Sequence, residues 1–241
     1  RQRLEEITER MVWAQGEVLF DTYESTQGND PDGKMVNRLH AEAQAAKSEV
    51  QIEQAYFVPR DPTIETFEKL VERGVKVRVL TNALAGNDVI AAQAGYARRR
   101  QAVIEAGVEV RELRPDAPAL LSQVAPDALD SRAALHTKAM VIDGEISFVG
   151  SFNLDPRSAD INSEIGLLVY SEALAEQVEN FFDEGASPEN SYLVTLDEDG
   201  DIVWQTEVEG ETKSWTKDPE TSWWRRFVHG FMMLLPTENQ L

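Results

Sequence analysis

The residues with the most chemical capacity lie in one short stretch, His136-Thr137-Lys138-Ala139-Met140-Val141-Ile142-Asp143, followed by Gly150-Ser151-Phe152-Asn153. The first stretch alternates as a half-buried strand does. Side chains two apart on a strand share a face, so His136 and Lys138 point one way and Ala139 and Val141 the other. Asp143-Gly144 is a hairpin signal, and Ile146–Phe152 reads as the returning strand. An antiparallel return brings Ser151 and Asn153, which share parity, back to the His136 end. The expected cluster is an imidazole, an ammonium, a hydroxyl and an amide. That set suits a phosphoryl group. Lys138 can neutralise a non-bridging oxygen, and Ser151 and Asn153 can donate to the others. His136 can attack phosphorus or protonate a leaving alkoxide. Asp143 has the opposite parity and is expected to support the site from the strand end while making the turn.

The elements that must position this cluster alternate. A helix is predicted over 36–47, a strand over 49–57, a helix over 62–73 closed by Gly74, a strand over 75–81, a helix over about 88–106 closed by Gly107, and a strand over 108–113. A β-α-β-α-β order argues for an α/β sheet with helices on its faces. Residues 114–134 read as a long proline-bearing loop. After the hairpin, a strand over 164–170 and a helix over 172–184 follow. Residues 1–35 read as a junction, a helix over 1–16 and then a breaker-rich loop. Residues 36–185 form the main unit. Residues 186–241 add a hairpin, 191–196 with 201–208, and a C-terminal amphipathic helix beginning at Trp223-Trp224-Arg225-Arg226. Arg98-Arg99-Arg100 reads as a solvated helix face, and Tyr56 and Phe57 as core.

Composition narrows the chemistry. The chain has no cysteine, which excludes disulfides, thiolate metal sites and a thiol nucleophile. With His40, His136 and His229 its only histidines, no metal or other cofactor is expected. A net charge of −20 weighs against nucleic acid as a partner, since a duplex needs a basic footprint. Hydrophobic runs fall short of a membrane span, so any membrane contact is expected at the interface, where a tail of Trp, Arg, Phe and Leu would suit it. A docked cap on the core would carry a similar stripe. The acidic turn near Asp197–Asp201 lacks the ligand spacing of a calcium loop. The chain opens at Arg1 without Met, which reads as a fragment or a processed product.

His136-x-Lys138-x4-Asp143 with Gly150-Ser151-x-Asn153 resembles the HKD motif of the phospholipase D superfamily. The run from Gly150 to Gly166 is similar to the second-half motif of bacterial cardiolipin synthase-like members, and Gln54-Ala-Tyr-Phe-Val-Pro59 and the Trp223–Pro236 ending are similar to theirs. The resemblance covers roughly 36–241. It implies a phospholipase D-like mixed sheet flanked by helices, one HKD half of a two-half site. It further implies phosphodiester transfer or hydrolysis on a phospholipid such as phosphatidylglycerol through a phosphohistidine, without a metal. His136, Lys138 and Asp143 would form the catalytic set, and Ser151 and Asn153 would line the phosphate site. Glu164 would orient a catalytic His, that of the other half. Only one such motif is present, so the partner half is expected in a longer chain or in a homodimer mate. Location would be peripheral, on a bacterial inner membrane. Two rivals stand beside this: a homodimeric HKD endonuclease and a non-catalytic lipid-binding half.

Overall fold

A computed structural model describes residues 8, 10–30, 33–117, 134–208 and 210–234. In chain order the elements are β1 (Gln15–Phe20), α1 (Tyr23–Thr26), α2 (Met35–Gln44), β2 (Glu49–Gln54), α3 (Asp61–Glu72), β3 (Lys76–Asn82), α4 (Ile90–Glu105), β4 (Glu109–Leu113), β5 (Lys138–Ile142), β6 (Ile146–Gly150), α5 (Pro156–Asp160), β7 (Ile165–Tyr170), α6 (Glu172–Ala186), β8 (Ser191–Leu196), β9 (Ile202–Val208), β10 (Glu211–Trp215) and α7 (Trp223–Met233). The strands form one mixed sheet in the order β1-β7-β6-β5-β2-β3-β4-β8-β9-β10. β2, β3 and β4 run parallel, as their intervening helices require. All other pairs are antiparallel.

Two faces bury two cores. Val50, Ile52, Val77, Val79, Val110 and Met140 join residues of α2, α3 and α4 on one face. Cross-strand partners such as Val50 with Val77 and Ile52 with Met140 share that face. On the other face Leu80 and Leu113 meet Phe182 and Ala186 of α6. Gly74 and Gly107 follow α3 and α4 with φ of 85° and 84°, the left-handed position that a helix-ending residue takes most cheaply as glycine. A buried Glu112 ties the appended strands to the main sheet. It accepts from the Arg100 guanidinium at 2.9 Å, the Tyr96 hydroxyl at 3.1 Å and the Trp204 indole at 2.9 Å.

Three expectations are corrected. Residues 10–14 are not helical, and Gln15–Phe20 is an edge strand paired with β7, so the junction contributes to the sheet. Residues 1–7 and 9 lie outside the described residues, as does most of the 114–134 loop. Arg100 is buried against Glu112 rather than solvated. A further strand, β10, extends the appended hairpin.

Candidate active site

His136 and Lys138 stand where β5 begins, beside the end of β2. The segment leading into β5 is clamped from both sides. Asn82, buried at the end of β3, accepts from the Leu135 amide at 2.7 Å and donates to the Leu135 carbonyl at 2.9 Å and the Ala55 carbonyl at 3.1 Å. The Ala55 amide donates to the Thr137 carbonyl at 3.1 Å. His136 is therefore held by the residues before and after it while its ring stays exposed. Tyr56 sets its edge against that ring, with centroids 6.2 Å apart. The Tyr56 hydroxyl donates to Asp88 at 3.0 Å, and burial with that contact pushes it up to about 12. Phe57 is core as expected, but Tyr56 is not. β2 ends at Gln54, and the chain turns there, which frees Tyr56 to lean over the site.

The Lys138 ammonium donates to the His136 carbonyl at 2.9 Å and lies 6.0 Å from the centre of the Tyr56 ring. Among the described residues it makes no ion pair. Burial lowers its pKa, and the carboxylates of Glu164, Asp155 and Asp88 act in the opposite sense. Imidazole and ammonium thus stand together at one end of β5, both beside the Tyr56 ring, and Lys138 forms no ion pair among the described residues.

Ser151, Asn153 and Glu164 gather at the same end, because β5 and β6 pair with Ala139 opposite Val149. The Ser151 hydroxyl accepts from the Ile165 amide at 3.0 Å and donates to Glu164. Its single proton is therefore engaged inside the protein and not displayed to a ligand. Glu164 is buried and also accepts from the Asn162 amide group at 3.0 Å. Its backbone is anchored in turn, since its N–H donates to Asp21 at 3.0 Å and its carbonyl accepts from the Asp21 amide at 2.9 Å. Asp21 also accepts from the Met35 amide at 2.7 Å and lies 3.5 Å from the Lys34 ammonium. Asn153 has a buried side-chain oxygen with no hydrogen-bond partner among the described residues. Asp155 caps α5 by accepting from the Ser158 amide at 2.7 Å, and burial raises its pKa.

Asp143 lies at the opposite end of β5 from Lys138, about 17 Å away at the strand rise. It accepts from the amides of Lys47, Ser48 and Glu49 and from the Ser48 hydroxyl. Burial pushes its carboxyl up, but those donors outweigh it and hold the pKa below the ordinary value. Its φ of 55° and that of Gly144, 67°, form the tight turn. The structure thus separates Asp143 from the reacting end. It supports the strand from its far end, away from the catalytic set in which the resemblance would place it. Among the described residues no group of three or more His, Asp or Glu is placed to hold a metal ion.

Sequence reasoning missed Asn82 and Asp21. Both sit at element ends and act on segments 53 and 143 residues away, so no local pattern marks them.

Fold and site together define a phospholipase D-like domain: a mixed sheet between helices, with the histidine and lysine of one HKD motif at the entrance of a central strand. The family model described as cardiolipin synthase, PLD-like domain, matches residues 39–185, and the chain belongs to that family. Cardiolipin synthase C of Escherichia coli (strain K12) is 33% identical over 232 residues, which is 95% of this chain and 48% of that protein. An uncharacterized protein of Helicobacter pylori is 28% identical over 79% of this chain and 37% of its own length. The chain thus spans half or less of these curated relatives. Among solved structures, phosphatidylserine synthase of Haemophilus influenzae Rd KW20 superposes with a TM-score of 0.58 at 17% identity, over 91% of this chain and 44% of that one. The phospholipase D family member Nuc of Salmonella typhimurium gives 0.50 at 18% identity, over 71% of this chain and 93% of its own. At these identities the superpositions establish the fold alone.

Proposed function

We propose that this chain is one catalytic half of a phospholipid phosphodiesterase or phosphatidyltransferase of the cardiolipin synthase type, completed by a second HKD half. The observation that carries the reading is the pair His136 and Lys138, fixed at one strand end beside the buried, hydrogen-bonded Glu164. In this reading Lys138 neutralises a non-bridging oxygen of the diester. The histidine of the other half attacks phosphorus, and His136 protonates the departing alcohol as the P–O bond breaks. Water or a second alcohol then displaces the histidine and returns a proton to His136. Phosphatidylglycerol is the expected donor, by the relationship to cardiolipin synthase C.

Peripheral membrane contact is part of the same proposal. Among the described residues no helix is long and apolar enough to cross a membrane. α7 packs on α4 through buried His229 and turns Trp223, Trp224, Phe227, Phe231 and Leu234 outward as an exposed stripe. Its N-terminal end is fastened to the site's own rim. Arg225 donates to the Leu84 carbonyl at 2.7 Å and to that of Asn87, next to the Asp88 that holds Tyr56. Such aromatic rings suit the headgroup region.

The test is thin-layer analysis of phosphatidylglycerol vesicles incubated with the protein together with its second half, with a DNA zymogram run in parallel. Loss of lipid turnover by about a hundredfold or more in His136→Ala and in Lys138→Ala supports the reading. DNA cleavage without lipid turnover establishes the nuclease alternative. Vesicle binding without turnover of either substrate establishes the non-catalytic one.

A further inference from the structure

A cavity of about 690 Å³ lies between α2, α3 and the sheet, on the face to which Lys138 belongs. Met140, two residues along β5 from Lys138, is one of its walls, with Leu39, Ala43, Ile52, Phe67 and Leu70. Close-packed interiors leave few voids larger than a water molecule, and this volume falls in the range of ligand sites.

Its charged lining residues Lys34, Arg60, Asp155 and Asp160 come from the starts of α2 and α3 and from α5, which mark one end of it. Asp155 is also one of the carboxylates that act on Lys138. That end faces the site on topological grounds as well. α3 begins just after the end of β2, and the first amide of α2 is held by the Asp21 that anchors Glu164. From Pro62 to Leu70 the groove follows α3 for about 12 Å into the apolar interior. Its mid-depth polar groups satisfy one another. The Thr66 hydroxyl donates to the Pro62 carbonyl at 2.9 Å, so His40 donates to Thr66 at 3.0 Å, and neither is left to a ligand.

We infer that this groove holds a long acyl chain of the substrate, with the polar end toward Lys138 and the methyl end toward Ala43 and Leu70. The inference rests on the phospholipid reading above. An unbranched apolar chain leading away from a phosphate matches a slot that is charged at the site and apolar beyond it.

Ala43→Trp fills the deep end without touching the reacting groups. Turnover of dihexanoyl and dioleoyl phosphatidylglycerol in the same detergent micelles is compared in the wild type and in this variant, with the second half present. The expected result is a fall of tenfold or more in the long-to-short ratio of kcat/KM, with the short-chain rate unchanged. An unchanged ratio overturns the inference while leaving the phospholipid reading intact. No turnover of either lipid by the wild type counts against that reading instead. The groove is then judged by fluorescence of cis-parinaric acid: binding lost in Ala43→Trp supports an acyl site, and binding equal in both, or absent from both, overturns it. Leu70→Trp provides the second variant should Ala43→Trp not fold.

Discussion

Glu53 is a carboxyl in a place that disfavours charge. It lies on β2 opposite Ala139, is 2% exposed, and neither carboxyl oxygen has a hydrogen-bond partner among the described residues. Burial raises its pKa from 4.5 to about 7, and the nearby Thr137 hydroxyl opposes this only in part. A raised carboxyl pKa means that the folded state binds more protons than the unfolded one between the two values. Stability is therefore fully present below the unfolded pKa and declines as pH rises, until the folded group has also ionised. Between pH 5 and pH 8 the loss comes to about 2.5 kcal/mol. Glu53→Gln keeps the shape and removes the titration. The variant should gain about 2.5 kcal/mol on the wild type between those pH values, or about 5–10 °C in Tm for a chain of this size. Thermal unfolding at pH 5, 6, 7 and 8 in matched ionic strength measures it. A difference between variant and wild type that stays constant across the series would refute the argument, because a cost independent of pH cannot come from ionisation.

Asp143→Asn keeps a residue tolerant of positive φ but removes a charge bonded by three amides and a hydroxyl. It should cost about 1–3 kcal/mol in chemical denaturation while leaving KM for the lipid unchanged. Glu112→Ala leaves the buried Arg100 guanidinium with Asp218, at 3.5 Å, as its one carboxylate partner among the described residues. It should destabilise by about 3–5 kcal/mol, measured by urea unfolding. Trp224→Ala with Phe227→Ala removes a stacked pair, with ring centroids 5.5 Å apart, from the outer face of α7. Vesicle sedimentation should weaken about tenfold.

The parts of the fold that local pattern controls were legible. The β5–β6 hairpin follows from alternation and Asp143-Gly144, and α3 and α4 end where Gly74 and Gly107 offer positive φ. What could not be read depends on distant partners. Glu17-Val18-Leu19-Phe20 becomes a strand only because β7 arrives to pair with it. The Arg98–Arg100 run looks uniformly solvated, yet successive residues on a helix point about 100° apart. One of the three had to turn inward, and Arg100 meets a carboxylate on β4 that no window around it contains. At the site, the expected strand from Leu135 begins only at Lys138, so Lys138 lies on its face while His136 stands in the segment leading into it. The clamp that holds them, Asn82 with Ala55, was not legible, because its members come from the end of β3 and the turn after β2. Nor could sequence say that Ser151 spends its proton on Glu164, since a serine two residues before an asparagine reads equally as a ligand donor.

The charge around Lys138 bears on the two-half proposal. One ammonium faces three carboxylates that act on it, and the serine hydroxyl beside it donates inward. A diester carries its negative charge over two non-bridging oxygens, and a single lysine in that company is a poor match for it. A second lysine and a second histidine, brought from another HKD half, would tip the balance and also supply the nucleophile that leaves His136 free to act as the acid. The sheet has a face on which such a half could sit. Val18, Phe20, Val149, Ile165 and Leu167 are all exposed, and the register places Val18 and Val149 opposite Leu167 and Phe20 opposite Ile165. They form one apolar surface bordering Gly150-Ser151 and Glu164. Five apolar side chains exposed side by side among the described residues are costly to leave in water, and a partner placed there would bring its own strand ends to the same rim. Under the two-half proposal, one addition would supply further positive charge at the site and cover the apolar patch that is exposed among the described residues.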